Sequence, residues 1–199
     1  MKSLNSYVYI FLVILTGIIF LIVLIANTRN IPTKIEKELL SIAETLSLYT
    51  KKFLNDLRSE EVRQTVEKQI QKAKSLTNNN ASFTPIIFIN EQKITLNKFE
   101  ELENIIQIEV DKNTNSDKNT TIEVFSDFNC RSCYELFKKI EEIKQNKREL
   151  FSKINYIKSN LPIIGGNQSK IYAYAFEAAK LQNKGDEYAK ALYEKIHLK

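Results

Sequence analysis

The sequence predicts an α/β domain, rich in helix, behind an apolar N-terminal segment. Two short apolar runs, Pro85-Ile86-Ile87-Phe88-Ile89 and Thr121-Ile122-Glu123-Val124-Phe125-Ser126, have the length and composition of strands. Longer stretches around them repeat apolar residues at helical spacing. With only four glycines and three prolines in 199 residues, the chain has few breaks. It is long enough for one domain with a core and an accessory segment.

Residues 7–26 carry no charge. At about 1.5 Å per residue, such a run crosses a hydrocarbon core of about 30 Å. Ala26-Asn27-Thr28 is a poor cleavage site, so a retained anchor over residues 1–30 is expected rather than a removed signal. Lys2 precedes the run and Arg29 and Lys34 follow it, so charge alone does not orient it.

Thr33-Lys34-Ile35-Glu36 fits a capping box. It should open a helix that buries Ile35, Leu39, Ile42, Ala43 and Leu46. A short helix from Thr50 to Leu57 comes next. Ser59 then caps a longer one carrying Val62, Val66, Ile70 and Ala73. Residues 77–82 read as a loop. Pro85 to Ile89 and Lys93 to Leu96 form a hairpin turned at Asn90-Glu91-Gln92. Phe99, Leu102, Ile105 and Ile106 mark a helix face. Residues 111–120 hold no apolar side chain and read as a polar linker. A strand from Thr121 to Ser126 follows. After it come a helix with Leu136, Phe137, Ile140 and Ile143, a strand around Ile154 and Tyr156, and a helix from Gln168 to Leu181. A last helix runs from Gly185 to near His197. The net charge of +5 is dispersed among interleaved Lys and Glu. No basic stripe with aromatics is present, which argues against nucleic acid as a partner.

Cys130 and Cys133 are the only cysteines. Their spacing puts both in one turn where a strand meets a helix. Unpaired N–H groups and the dipole at a helix N-terminus stabilise a thiolate. Cys130 is therefore the expected nucleophile, with Arg131 adding charge beside it. Cys133 is the expected resolving thiol, which attacks a mixed disulfide. A zinc site would need four ligands, and His197 is the only histidine. A purely structural disulfide closing so short a loop would stabilise little.

The segment Phe125-Ser126-Asp127-Phe128-Asn129-Cys130-Arg131-Ser132-Cys133 resembles the active-site motif of the DsbA-like branch of the thioredoxin superfamily. Asn160-Leu161-Pro162-Ile163 and the helices after it resemble that family's entry into an inserted helical subdomain. Thr84-Pro85-Ile86-Ile87-Phe88-Ile89-Asn90 resembles its cis-proline motif, and Leu46 to Leu76 the helices before it. The order is reversed, because in the family the cysteine motif comes first. The resemblance implies a thioredoxin-like fold with an inserted helical subdomain, circularly permuted. Residues 31–110 would be the cis-proline half and 121–199 the cysteine half, with 111–120 joining the old termini. Two half-domains from a damaged tandem gene, or halves paired between two chains, are the competing accounts.

Together with the anchor expected from residues 7–26, the resemblance implies a membrane-anchored, extracytoplasmic thiol–disulfide oxidoreductase that forms disulfides in exported proteins. Cys130 and Cys133 would be catalytic, with Arg131, Ser132, Thr84 and Pro85 in support. A quinone-linked membrane protein would be the reoxidising partner, and no cofactor or metal is implied. The family often carries a buried acid six residues before its first cysteine; here Val124 stands there. Glu123, on the opposite strand face, and Asp127 are the candidate proton relays. A reductase or isomerase, and a non-catalytic assembly protein, are the alternative functions.

Overall fold

The computed structural model describes residues 11–18, 33–113 and 119–198. The chain divides into two units, 1–39 and 40–199. Residues 11–18 of the first are helical and exposed. Among the described residues no helix is long and apolar enough to cross a membrane. Eight helical residues cover only about 12 Å, well short of a span. The expected single-pass anchor over 7–26 is therefore not supported, and the extracytoplasmic placement that depended on it falls with it. The rest of that run lies outside the described residues.

The expected capping box forms. Thr33 N–H donates to Glu36 Oε2 at 2.7 Å, and Glu36 N–H to Thr33 Oγ1 at 3.3 Å. The helix α1 (Lys34–Thr45) follows, then α2 (Thr50–Arg58) and α3 (Glu60–Leu76). Ser59 Oγ caps α3 by accepting from Val62 N–H at 3.2 Å. The hairpin strands are β1 (Ile86–Ile89) and β2 (Gln92–Ile94). Asn90 and Glu91 turn between them with φ of 49° and 66°, a left-handed pair of the kind a two-residue hairpin needs.

The helix α4 (Glu101–Asn113) runs three residues into the expected linker. Its last turn is held by side-chain pairs, Gln107 to Asp111 and Lys112 to Glu109, which need no apolar residue. Residues 114–118 lie outside the described residues. The strand β3 (Thr120–Ser126) leads into α5 (Arg131–Asn146), α6 (Arg148–Ser152) and β4 (Ile154–Asn160). The chain then forms α7 (Asn167–Lys180) and α8 (Gly185–His197).

The sheet has the order β2-β1-β3-β4. β3 and β4 are parallel, joined by α5 and α6, whereas β1 runs antiparallel to both β2 and β3. One face buries Ile87, Ile89, Ile122 and Val124 against Leu102, Ile106 and Val110 of α4 and Leu136, Ile140 and Ile143 of α5. The other buries Ile86, Phe88 and Phe125 with Ala73 of α3 and Leu161. A helical layer completes the second unit, in which α7 packs on α2, α3 and α8.

The pairing of β1 with β3 sets the site. Antiparallel strands bring the start of one beside the end of the other. Ile86, the first residue of β1, pairs with Phe125 near the end of β3. Residues 84–85 therefore lie against the turn that leaves β3.

Candidate functional site

That turn carries the cysteines. Cys130 is the N-cap of α5, with its sulfur accepting from Cys133 N–H at 3.4 Å in place of the usual hydroxyl or carboxylate cap. Both cysteines are free thiols, 6% and 2% exposed. The Thr84–Pro85 peptide is cis. Cys130 Sγ–H donates to Thr84 O at 3.4 Å.

The surroundings separate the two thiols. Cys130 is lowered to about 6, chiefly by the hydrogen bond from the Cys133 side chain. Burial opposes this; the Thr84 hydroxyl and the N–H groups of Cys133 and Ser132 add to it. Thr84 Oγ1 is buried with no hydrogen-bond partner while Cys130 is protonated, so it is free to turn toward an ionised sulfur. Burial, the leading cause, pushes Cys133 far above the ordinary thiol range, and Cys130 adds to the rise. One sulfur is thus an anion near neutrality and the other a proton holder.

Arg131 has surface contacts of its own. Its exposed guanidinium pairs with Glu135 at 2.9 Å and donates to His197 O at 3.0 Å. The groups that lower Cys130 are the neighbouring thiol, a hydroxyl and backbone N–H groups instead. Ser132 is exposed. It borders an apolar groove of about 270 Å³ with Phe83, Thr84, Pro85, Leu96 and Phe99.

Neither expected proton relay is free for the task. Glu123 sits on the sheet face that carries Phe125, the face opposite Val124 and α5. There it accepts from Ser159 Oγ at 2.8 Å and pairs with Lys72 at 2.6 Å. Asp127, expected in a turn, is only 1% exposed and fully engaged. Its Oδ1 accepts from Asn129 N–H at 2.9 Å and Ser169 Oγ–H at 2.8 Å. Its Oδ2 accepts from Ile163 N–H at 2.8 Å and Ile164 N–H at 2.7 Å. Asp127 ties the cysteine turn to the loop before α7. A side chain at Gly165 in that loop would collide with Asn129 Nδ2 and Ser169 Oγ.

Two site residues had no signal in the sequence. His197 Nε2 lies 2.8 Å from Phe128 O, and its ring stacks on Tyr134 at 5.2 Å and 7°. Lys158 projects from β4 into a nest of rings beneath α5. Neither has a local motif, because distant segments make both environments. Among the described residues, no cluster of three or more His, Cys, Asp or Glu could hold a metal ion. No protein-family model matches the chain, and no curated protein matches it significantly.

Proposed function

We propose that the chain is a thiol–disulfide oxidoreductase of the DsbA-like branch of the thioredoxin superfamily, with the two halves of the domain in reversed order. The observation that carries this is the contact of Cys130 Sγ, at the N-terminus of α5, with the carbonyl that precedes cis-Pro85. The sheet supports the reversed order. A parallel pair flanking a helical crossover, extended by an antiparallel hairpin, is the arrangement that a permutation with its join between α4 and β3 requires. The packing of α2 and α3 with α7, from opposite ends of the chain, supports new termini within one helical subdomain.

The exchange runs through Cys130. In the oxidised protein a substrate thiolate attacks Cys130 Sγ, the Cys130–Cys133 bond breaks, and Cys133 leaves as a thiolate that takes up a proton. A second substrate thiolate then attacks the substrate sulfur of the mixed disulfide. Cys130 leaves as a thiolate, so the substrate is oxidised by two electrons and the protein is reduced. The groove beside Ser132 and Pro85 receives apolar substrate side chains, and the backbone at Thr84 offers an extended segment a partner. A separate disulfide donor reoxidises the pair.

Active-site cysteines at helix N-termini fall between about 3.5 and 7.5. Cys130, at about 6, is a good leaving group of moderate strength. Equilibration with glutathione tests the direction of exchange. An oxidase predicts a potential well above the value of about −270 mV typical of a thioredoxin reductant. A potential at or below that value would make the protein a reductase.

A further inference from the structure

Thr84 meets the cysteine pair with two groups. Its carbonyl accepts from Cys130 Sγ–H at 3.4 Å. Its hydroxyl is close enough to lower both thiols, yet Oγ1 is sealed from solvent and has no hydrogen-bond partner while the thiols are protonated. Disulfide exchange uses this hydroxyl only to steady a thiolate. A hydroxyl carries one hydrogen and two lone pairs. When the hydrogen turns to an ionised Cys130, the lone pairs stay open to a small donor placed beside the sulfur.

The surroundings say what that donor can be. Cys130 is held at about 6, so it is largely a thiolate at neutral pH, the form of sulfur that attacks a peroxide bond. Thr84 and Ser132 also line the groove of about 270 Å³, whose other walls include Phe83, Pro85, Leu96 and Phe99. An apolar stem therefore has a place beside the residue that touches Cys130. Cys133 stands next to the attacking sulfur, since its side chain is the hydrogen-bond donor that lowers Cys130 most. Burial makes it keep its own proton. A low-pKa thiol with a resolving thiol at hand is the pairing in which a sulfenic acid condenses to a disulfide.

We propose that the cysteine site also reduces organic hydroperoxides, with the peroxide held by the Thr84 hydroxyl and its apolar stem in the groove. The inference rests on the reading of Cys130 as nucleophile and Cys133 as resolving thiol. Thr84 Oγ1 donates to the Cys130 thiolate and accepts from the peroxide O–H, which sets the terminal oxygen against the sulfur. The thiolate attacks that oxygen, the O–O bond breaks, and the alkoxide leaves and takes a proton from water. Cys130 is then a sulfenic acid, oxidised by two electrons, and the peroxide has become an alcohol. Cys133 Sγ next attacks Cys130 Sγ, the S–O bond breaks, and the departing hydroxyl takes the Cys133 proton and leaves as water. A resolving thiol that keeps its proton suits this step, because the proton goes out with the oxygen. The product is the Cys130–Cys133 disulfide that the exchange reaction passes on. With a protein dithiol as reductant, one hydroperoxide and two thiols give an alcohol, water and a disulfide. A hydroperoxide is thus a second oxidant of the pair, beside a disulfide donor.

The test is a single turnover of the reduced full chain with cumene hydroperoxide or hydrogen peroxide at pH 7, quenched by acid and read by mass. Wild type should lose two hydrogens and form the Cys130–Cys133 disulfide. Its rate per thiolate should exceed about 100-fold that of the same chain unfolded in urea, at a pH that ionises an equal fraction of thiols. Cumene hydroperoxide should react about 10-fold faster than hydrogen peroxide, as expected for a ring buried in the groove. Thr84→Val should lower the rate per thiolate about 100-fold, and Thr84→Ser should restore it. Cys133→Ala should instead gain one oxygen, trapped by dimedone at Cys130. A folded rate equal to the unfolded one, an unchanged rate in Thr84→Val, or no sulfenic acid in Cys133→Ala would overturn the proposal. Faster reaction with hydrogen peroxide would overturn the role given to the groove. The comparison of folded with unfolded wild type needs no variant, so it decides even if Thr84→Val does not fold. Glutathione disulfide in place of the peroxide tests the exchange reading separately. A Cys130 mixed disulfide without any peroxide reaction overturns only this inference, and absence of the mixed disulfide overturns the exchange reading itself.

Discussion

Cys130 Sγ donates a hydrogen bond of 3.4 Å to the carbonyl of Thr84, which stands 46 positions earlier in the chain. Everything assigned to the site depends on this meeting, which the antiparallel register of Ile86 with Phe125 brings about. The contact also sets the order of events. Cys130 touches Thr84, which lines the groove, and is 6% exposed against 2% for Cys133.

The first prediction concerns the ionisation of Cys130. Its alkylation by iodoacetamide should rise with pH to a midpoint of about 6. The leading cause is the hydrogen bond from the Cys133 side chain, so Cys133→Ala should move the midpoint upward. Thr84→Val should move it in the same direction by less. Thiolate absorbance over the same pH range checks both. A midpoint in the ordinary thiol range for wild type would contradict the assignment.

Asp127 should prove structural. Four donors converge on its two oxygens, and an asparagine would turn an N–H₂ against two of them. Asp127→Asn and Asp127→Ala should each lower stability by about 3 kcal/mol. The shift in denaturant midpoint at constant slope measures this.

Glu123→Gln should separate structure from proton transfer. The substitution removes an ion pair with Lys72 on the sheet face away from the thiols. Stability should fall by about 1 kcal/mol, with the pH profile of the exchange rate unchanged. A shifted profile would show that Glu123 communicates with the cysteines.

Lys158 should lower stability in a pH-dependent way. Its folded-state value of about 7 lies below the lysine value of 10.5, so the unfolded chain binds more protons between them. The cost is complete below pH 7, shrinks as the pH rises, and vanishes near pH 10.5. Lys158→Met should therefore stabilise the protein by on the order of 3 kcal/mol at pH 6. The gain should shrink toward zero near pH 10. Urea melts of the two proteins at several pH values measure the difference.

The local devices of this fold were readable in the sequence. The Thr33–Glu36 box, the Ser59 cap and the hairpin each depend on residues within a few positions of one another. Strand alternation likewise put Glu123 on the face opposite Val124. The end of α4 was not readable, because its last turn is held by polar pairs that look like linker composition. The burial of Asp127 was not readable either. Its donors at Ile163, Ile164 and Ser169 arrive from another part of the chain. Lys158 looked like one surface lysine among many, and only the gathering of rings from the β3–α5 turn, α5, α7 and α8 makes it exceptional. The apolar run near the N-terminus pointed to a membrane span that no described helix forms.

The most direct test of the central claim is covalent trapping at Cys130. Removing Cys133 leaves a nucleophile whose adducts cannot be resolved within the protein. Full-length Cys133→Ser, mixed with a disulfide-bonded substrate protein at pH 7, should accumulate a one-to-one adduct through Cys130. Mass spectrometry after acid quench would detect it, and a reducing agent would reverse it. The double variant Cys130→Ser, Cys133→Ser should give none. Failure of Cys133→Ser to form an adduct would contradict the account.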